Sequence, residues 1–589
     1  MSISQIAVLA VLGMVVVLLY RRLAPPPVVF LIAVAILTAT DVLTPTEVLA
    51  GFASESIAVM IMLISISSMI RKTGILEWFF ERKLRPSRRY RRFLALLMPF
   101  VAGISSLMNN TPVVALLVPV VRDWGKRHGI TVSRLLIPVS FAAILGGMTT
   151  LIGTSTNLIV NSLSQESGLG SMSILDFTPV GLMMLGAGLI YILFVGYRLL
   201  PSRPDPADGP ADNPREYLAE TVITTGSELA GKTLEKAGLR NLKGLFVTEI
   251  VRKGREIVPV SPDEVLEEGD TLIMAGDTAS VADLVRSSRG LVLRDVSDPP
   301  AVGRLDVIEV VVSNRSMLAG TKIRNSGFRD RFNAAILAVH RQGERLSGKI
   351  GEIVLKPGDL LLLLSGRDFR KKVDLGSDLF LISKVTEIHN IDVGRSAFIL
   401  LSTLACIILA IAGIVPLFRS LLILLALFLL SRTMTLRELR RSLDMNLLAV
   451  AVFALALGRA VTSTGLGEIF SDVIISASAP LGVIGVVAAI FLVTNILAAL
   501  VTTVAAASIV FPFAAVAAAS LGADFRPFVL AVAYGAAANF MTPVGYQTNL
   551  MVYGPGGYRF SDYIKVGAPL SFLCWVVGTT GLGLVYGLF

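Results

Sequence analysis

Long apolar runs separated by short charged loops fill both ends of the chain, and shorter apolar runs set among charges fill its middle. Ile6–Tyr20, Val28–Ala39 and Ile57–Ile70 predict three successive membrane helices, being apolar around their whole circumference. Phe93–Val121 is long enough to cross once, yet Asn109-Asn110-Thr111-Pro112 cuts it in half. Its flanks, Arg91-Arg92 and Arg122, Lys126 and Arg127, are both basic. With both ends on one side of the membrane, this segment predicts a re-entrant helical hairpin with a polar tip near the midplane. Leu135–Val160 then crosses with a break at Gly153-Thr154-Ser155-Thr156-Asn157, and Phe177–Tyr197 returns. The far end predicts spans at Phe398–Ile414, Leu421–Leu430 and Asn446–Ala460. A second hairpin at Leu481–Ala519, a broken crossing at Ala531–Met551 and a last span at Pro569–Leu588 follow.

The interruptions repeat. Thr542-Pro543-Val544-Gly545-Tyr546-Gln547-Thr548-Asn549 matches Thr150-Leu151-Ile152-Gly153-Thr154-Ser155-Thr156-Asn157 position for position, sharing Thr, Gly, Thr and Asn. Leu500-Val501-Thr502-Thr503-Val504 lies about as far ahead of Pro512 as the first tip lies ahead of Pro119. One Asn or Thr in a membrane helix often only ties helices together. Four matching breaks in two copies indicate a site, because backbone groups freed at membrane depth are tolerated where they line a protein-enclosed or hydrated cavity.

Loop charge sets the orientation. Arg71–Arg92, and later Arg432, Arg437, Arg440 and Arg441, mark cytoplasmic loops. Counting spans from these places both termini outside, residues 201–391 in the cytoplasm, and the second hairpin entering from the side opposite to the first. The two halves therefore read as inverted repeats, residues 1–200 and 392–589. The fold class is a polytopic α-helical membrane protein with re-entrant hairpins and broken helices, plus two small cytoplasmic α/β domains.

Residues 201–217, dense in Pro, Asp, Asn and Gly, read as a linker. Beyond them a pattern recurs over two stretches, 218–300 and 301–391. Gly231-Lys232-Thr233 returns as Gly320-Thr321-Lys322, and Arg252-Lys253-Gly254-Arg255 as Arg341-Gln342-Gly343-Glu344. Glu268-Gly269-Asp270-Thr271-Leu272 returns as Pro357-Gly358-Asp359-Leu360-Leu361. Phe246–Val251 and Ile257–Val260 predict a hairpin, and Thr271–Ala275 a buried strand. Each copy resembles the C-terminal subdomain of the regulator-of-potassium-conductance (RCK) modules found on bacterial channels and transporters. A strand-linked G-x-G-x-x-G is missing, so nucleotide binding is not carried over. The resemblance implies a regulatory or dimerising role and leaves open a small-molecule regulator.

Composition narrows the class. With 54% hydrophobic and 16% charged residues, and a mean hydropathy of +0.73, the chain is far more apolar than a soluble protein. The net charge of +10 comes from loops beside spans, such as Arg88-Arg89-Tyr90-Arg91-Arg92, and indicates lipid headgroups, not nucleic acid. Cys406 and Cys574 lie in apolar spans without metal or redox spacing. A nucleophile–base pair and a metal cluster are missing too, so the reading is not an enzyme and needs no cofactor. Asp176 and Asp562 each precede an apolar span and are expected to cap it. Arg459, near the outer end of its span, is expected to snorkel.

The membrane halves resemble the divalent anion/sodium symporter family of the ion transporter superfamily, whose members carry sulfate and dicarboxylates with sodium. That family has a Ser-Asn-Thr tip on each hairpin and a Gly/Ala-Thr-x-x-Asn break after it. Asn109-Asn110-Thr111 keeps Asn and Thr, whereas Thr502-Thr503-Val504 loses the amide. The double insert, with Thr542–Asn549 followed by Tyr553-Gly554-Pro555-Gly556-Gly557-Tyr558, looks like the sulfate-permease-like branch. The resemblance implies a homodimer in a bacterial inner membrane, with a scaffold and a moving transport domain in each protomer. It implies substrate contacts from Asn110, Thr111, Thr154, Ser155, Thr156, Thr503, Gln547 and Thr548. It implies Na⁺ contacts from Asn109, Asn110, Gly153, Asn157, Thr502, Thr503, Gly545 and Asn549.

The residues support this chemistry directly. Na⁺ takes oxygen ligands, which amides, hydroxyls and freed carbonyls provide, while half-helix N-termini suit an anion. No Arg or Lys stands inside either motif. Proton coupling calls for an intramembrane carboxylate, yet Glu55, Asp176, Asp444 and Asp562 all sit at predicted span ends. Sulfate with Na⁺ is the first reading. A dicarboxylate symporter, a proton-coupled or arsenite-type carrier, and a channel suggested by Val544-Gly545-Tyr546 remain alternatives.

Overall fold

The computed structural model describes residues 1–21, 23–72, 90–203, 393–443 and 445–589 of the helical part. Of the central part it describes 218–239, 245–252, 255–257, 260–261, 263–276, 291–293, 306–313, 316–332, 334–341, 344–346, 350–365 and 378–381. The basic loop at 82–89, most of the predicted linker, Asp444, Gly254 and Gly343 lie outside the described residues.

The N-terminal half comprises α1 (Ile3–Tyr20), α2 (Pro26–Ala39), α3 (Pro45–Ala50), α4 (Glu55–Lys72), α5 (Tyr90–Ser105), α6 (Asn110–Arg127), α7 (Leu136–Gly147), α8 (Ser155–Glu166) and α9 (Thr178–Tyr191). The C-terminal half comprises α10 (Val393–Ile411), α11 (Leu417–Leu430), α12 (Leu436–Ser442), α13 (Met445–Ser463), α14 (Leu466–Ser478), α15 (Gly482–Leu500), α16 (Thr503–Ser520), α17 (Phe525–Ala537), α18 (Gln547–Tyr553) and α19 (Phe560–Tyr586). Among the described residues, eight helices are long and apolar enough to cross a membrane. Helix ends follow local chemistry. Ser2 with Gln5, Thr44 with Glu47, and Thr435 with Glu438 form capping boxes that satisfy first-turn amides at α1, α3 and α12.

The repeat seen in the sequence is a repeat of packing. In the first half α5 and α6 flank a short tip, and α7 and α8 flank a break. In the second half α15, α16, α17 and α18 do the same. Each crossing helix lies on the first arm of its hairpin where a glycine permits it. A Cβ on Gly146 would come 2.5 Å from the Cα of Ala102, and one on Gly535 would come 2.5 Å from the Phe491 carbonyl oxygen. Tyrosines tie the halves together. Tyr558 donates to the Ser133 carbonyl (2.7 Å) and accepts from the Ile137 amide (3.0 Å), while Tyr534 donates to the Phe177 carbonyl (2.6 Å). The helices α1 and α2 pack with α13 and the start of α16 in a separate apolar cluster.

Neither repeated aspartate is an N-cap. Asp176 precedes the capping residue Phe177 and accepts from the Ser173 amide (2.7 Å). Asp562 stands in the first turn of α19, accepts from the Arg559 amide (2.7 Å), and pairs with Arg203 (2.6 Å). Each closes a loop three residues back; Asp176 does so ahead of α9, whereas Asp562 does so as the third residue of α19, in a capping box with the N-cap Arg559.

The central part forms two five-stranded sheets. β1 (Leu218–Ile223), β2 (Leu245–Arg252), β3 (Arg255–Ile257), β4 (Thr271–Gly276) and β5 (Leu291–Leu293) are ordered β3-β2-β4-β1-β5. β6 (Asp306–Val312), β7 (Ala334–Arg341), β8 (Glu344–Arg345), β9 (Leu360–Ser365) and β10 (Leu379–Leu381) repeat that order from the opposite end. All their pairings are antiparallel, and both sheets shift register once, between Val247 and Glu249 and between Ile336 and Ala338. The sequence landmarks are one ion pair used twice. Arg252 grips Asp270 (2.9 and 2.8 Å) and Arg341 grips Asp359 (2.7 Å on both oxygens). These hydrogen bonds raise the pKa of both guanidinium groups.

The second sheet is docked on the helices. Ile308, Val310 and Val312 face its own core, whereas Val311, Leu360 and Phe380 join the main apolar cluster of the helical halves. Glu309, also on the outward face of β6, forms a buried ion pair with Arg122 of α6. The turn at Gly358 lies against Gly554 just beyond α18, so closely that a Cβ on Gly554 would come 2.5 Å from the Gly358 carbonyl oxygen.

Candidate binding site at the paired helix breaks

Both breaks are stitched by the same bonds. The Asn157 amide nitrogen donates to the carbonyls of Gly147 (3.5 Å) and Thr150 (2.9 Å); that of Asn549 donates to Asn539 (3.1 Å) and Thr542 (3.2 Å). The Gly153 amide donates to the Thr150 hydroxyl (3.1 Å), and the Gly545 amide to that of Thr542 (3.3 Å). Those threonines donate in turn to carbonyls of the hairpin tips, Ser106 and Ala499. Glycine is required at both bends. A Cβ on Gly153 would meet the carbonyl oxygens of Gly147 and Ser105 at 2.6 and 2.9 Å, and one on Gly545 would meet that of Ala498 at 2.5 Å. The unwound backbone is therefore held by Thr, Gly and Asn, the residue types that the two copies share.

The tip of the first hairpin enters this arrangement through Asn110, which is fully buried. Its amide is satisfied with the nitrogen toward Ser105 Oγ (2.6 Å) and the carbonyls of Ala143 and Gly153 (both 3.0 Å), and with the oxygen accepting from the Tyr546 hydroxyl (2.6 Å). Tyr546 also meets Thr154 Oγ1 at 3.0 Å. Thr154 and Tyr546 are 392 residues apart and hold matching positions in the two breaks, so their contact lies where the two repeats meet. Thr111 adds a hydrogen bond to Gln547 (3.3 Å). The first residues of α6, α8 and α18 are thereby gathered at one place.

Other predicted residues take different posts. Asn109 and Thr502 are the N-caps of α6 and α16, accepting from the amides of Thr111 (3.5 Å) and Ala505 (3.3 Å). Ser155 and Gln547, which match each other, are the half-exposed members at the starts of α8 and α18. Thr503 is buried at the start of α16 and is joined to neither break by a hydrogen bond described here. Thr156 and Thr548, again a matching pair, are buried with hydroxyls lacking hydrogen-bond partners among the described residues. So are the side-chain oxygens of Asn157 and Asn539. The side-chain oxygen of Asn549 is used, accepting from Ser140 Oγ (2.8 Å).

Ser105, Ser140 and Asn539 lie outside the motif reading, and Tyr546, inside the second break, carries no contact in it. Only Tyr546 had a usable signal, since it occupies the position matching Thr154. Among the described residues, no group of His, Cys, Asp or Glu could hold a metal ion. Arg459 pairs with Glu166 of α8 at 3.2 Å beside a cavity of about 250 Å³ between α8, α13 and α16. That cavity lies at the far end of α8 from the break, apart from the polar cluster.

A site with a glycine-bent backbone, clustered hydroxyls and amides, and no charged side chain suits reversible ion binding better than bond chemistry. Comparison with known proteins agrees. The citrate transporter family matches residues 7–535. A putative sulfur deprivation response regulator of Chlamydomonas reinhardtii is 33% identical, covering 92% of this chain and 95% of its own length. An uncharacterized transporter of Synechocystis is 31% identical over 98% and 97%. Sodium/sulfate cotransporter 1 of C. reinhardtii is 24% identical over 95% and 87%. The chain belongs to the citrate transporter family and is a multi-pass membrane transport protein, not an enzyme.

Proposed function

We propose that the protein is a secondary transporter of a small divalent oxyanion, sulfate first, in symport with Na⁺. The observation that carries this reading is the gathering of the starts of α6, α8 and α18 around Asn110, Thr154 and Tyr546, with no charged side chain in the breaks or tips. Helix N-termini present amide donors and a positive dipole end, which suits an anion without an Arg or Lys. The four buried oxygens of Thr156, Asn157, Asn539 and Thr548 supply the complementary environment for a hard cation. Relatives named sodium/sulfate cotransporters favour sulfate and sodium together, whereas the family description keeps citrate-like carboxylates as the second reading.

In this proposal the hairpins are re-entrant, both termini are outside and residues 201–391 are cytoplasmic, as loop charge supports. The two sheet domains are RCK C-terminal-like modules open to a small-molecule regulator, and protomers pair as homodimers in a bacterial inner membrane. Rocking of the hairpin-bearing part against the rest exposes the breaks to each side in turn. The test is uptake of labelled sulfate by proteoliposomes under imposed Na⁺ or H⁺ gradients. Uptake driven by Na⁺ supports the reading; uptake following only H⁺ overturns the coupling ion. Transport of citrate or succinate, with sulfate excluded, overturns the substrate.

A further inference from the structure

We infer that Asn539 supplies the amide oxygen of a Na⁺ site in the second break, replacing the hairpin asparagine that the second repeat lacks. The inference rests on Na⁺ being the coupling ion.

The structure shows a swap between repeats. Asn539 and Gly147 are matching positions, since each carbonyl accepts from the asparagine that stitches its own break. In the first repeat a Cβ on Gly147 would fall inside the Asn110 amide, so the space beside the helix end is filled from the hairpin. In the second repeat the hairpin helix begins with Thr503, which has no amide. The corresponding space is filled from the crossing helix by Asn539, whose amide lies where a Cβ on Gly545 would have to go. Its nitrogen donates to the Ala498 carbonyl (2.7 Å), a tie between crossing helix and hairpin tip such as Asn110 makes from the other side.

What remains on Asn539 is its oxygen. The residue is fully buried, and Oδ1 has no hydrogen-bond partner among the described residues. An amide oxygen only accepts, so it repels the oxygens of an anion and welcomes a cation. The two repeats each hold one such unspent amide oxygen, but on different residues. In the first it belongs to Asn157, because Asn110 spends its oxygen on Tyr546; in the second it belongs to Asn539, because Asn549 spends its oxygen on Ser140. Each repeat adds one unspent hydroxyl at a matching position, Thr156 or Thr548. The loss of the hairpin amide therefore does not leave the second break without cation chemistry.

The experiment uses the full-length protein and reads Na⁺ twice, by Na⁺-dependent thermal stabilisation in detergent, with choline as control, and by the Na⁺ dependence of sulfate uptake. Asn539→Gly, and Asn539→Leu as a variant of similar shape without the oxygen, are expected to weaken Na⁺ affinity about tenfold or more. Anion KM at saturating Na⁺ should hold. The double variant Thr503→Asn with Asn539→Gly, which rebuilds the first repeat's arrangement, is expected to recover Na⁺ stabilisation. Folded single variants with the wild-type Na⁺ response overturn the role of Asn539 while leaving Na⁺ coupling intact. A wild-type protein indifferent to Na⁺ in both assays overturns the coupling reading and this inference with it.

Discussion

The two helix breaks have the same backbone and different side-chain economies. Asn157 and Asn549 stitch them alike, and Thr150 and Thr542 brace their glycines alike. The first break nevertheless receives a fully bonded asparagine from its hairpin, while the second draws its amide from its own crossing helix. Backbone geometry is what inverted repeats must share, because it forms the bend. Side chains are free to diverge as long as the same space is filled and the same donors are met.

That difference predicts unequal responses to equal mutations. Asn110→Ala takes a polar neighbour from Ser105 Oγ, the Ala143 and Gly153 carbonyls and the Tyr546 hydroxyl together. It is expected to cost about 3 kcal/mol or more and to abolish uptake. Thr503→Ala in the matching tip loses no described hydrogen bond and should cost under about 1 kcal/mol. Melting temperatures in detergent, alongside uptake, measure both; equal losses would show that the tips are equivalent after all.

The bends can be separated next. Gly153→Ala drives a methyl group into backbone atoms alone, whereas Gly545→Ala also meets the Asn539 side chain. Each should cost about 2 kcal/mol. Only the second is expected to recover in part when Asn539→Gly is added, because a side chain can be removed and a carbonyl cannot. Lack of any recovery in the double variant would place the whole obstruction on the Ala498 carbonyl.

How much of this was legible follows from the same contrast. The breaks were visible because Gly, Thr and Asn recur in fixed order, and these types act on backbone within their own segment. Asn539 was invisible for the opposite reason. It sits in an alanine-rich run, its counterpart is a glycine, and its meaning depends on the hairpin residue Ala498, 41 residues earlier. Ser140 was hidden likewise, being meaningful only through Asn549 across the fold, whereas Ser105 meets Asn110 just five residues on but stands outside the repeated motif. The sheets were readable from strand-length runs and repeated Gly-Asp turns, yet the docking of the second sheet was not. Val311, Leu360 and Phe380 face away from its core, so β6, β9 and β10 each carry an apolar residue on the outer face as well, a sign of a second covered surface. Which surface covers them is a question of tertiary placement. The helix α14, between two expected spans, was overlooked because Glu468 and Asp472 interrupt its apolar run.

Tyr546→Phe tests the contact at which the repeats meet. The phenol spends its hydrogen on Asn110 and faces Thr154, so removing the hydroxyl leaves a buried amide oxygen unmet while ring packing stays. The expected cost is about 1.5 kcal/mol, with anion KM rising several-fold and little change at saturating anion. Thr154→Val, which deletes the other partner and leaves the Asn110 bond, should do less. If Thr154→Val proves the more damaging, the bridge is held from the first break and not by Asn110.

The smallest expected contrast lies where the copies close. Asp562 and Asp176 each accept from a backbone amide three residues earlier, but Asp562 is buried and gripped by Arg203, which also donates to the Gly557 carbonyl (2.7 Å). Asp562→Asn keeps the shape and the loop-closing bond while leaving the guanidinium without its counter-charge, at a cost of about 1 kcal/mol. Asp176→Asn, half-exposed and without a described ion pair, should cost under about 0.5 kcal/mol. Melting curves at low and high salt distinguish the causes. Added salt should narrow the gap only slightly, since burial limits screening of the Asp562 pair. A gap that closes completely in salt would mean that Arg203 acts at a distance, as a general surface charge, and that the two closing aspartates are interchangeable loop fasteners.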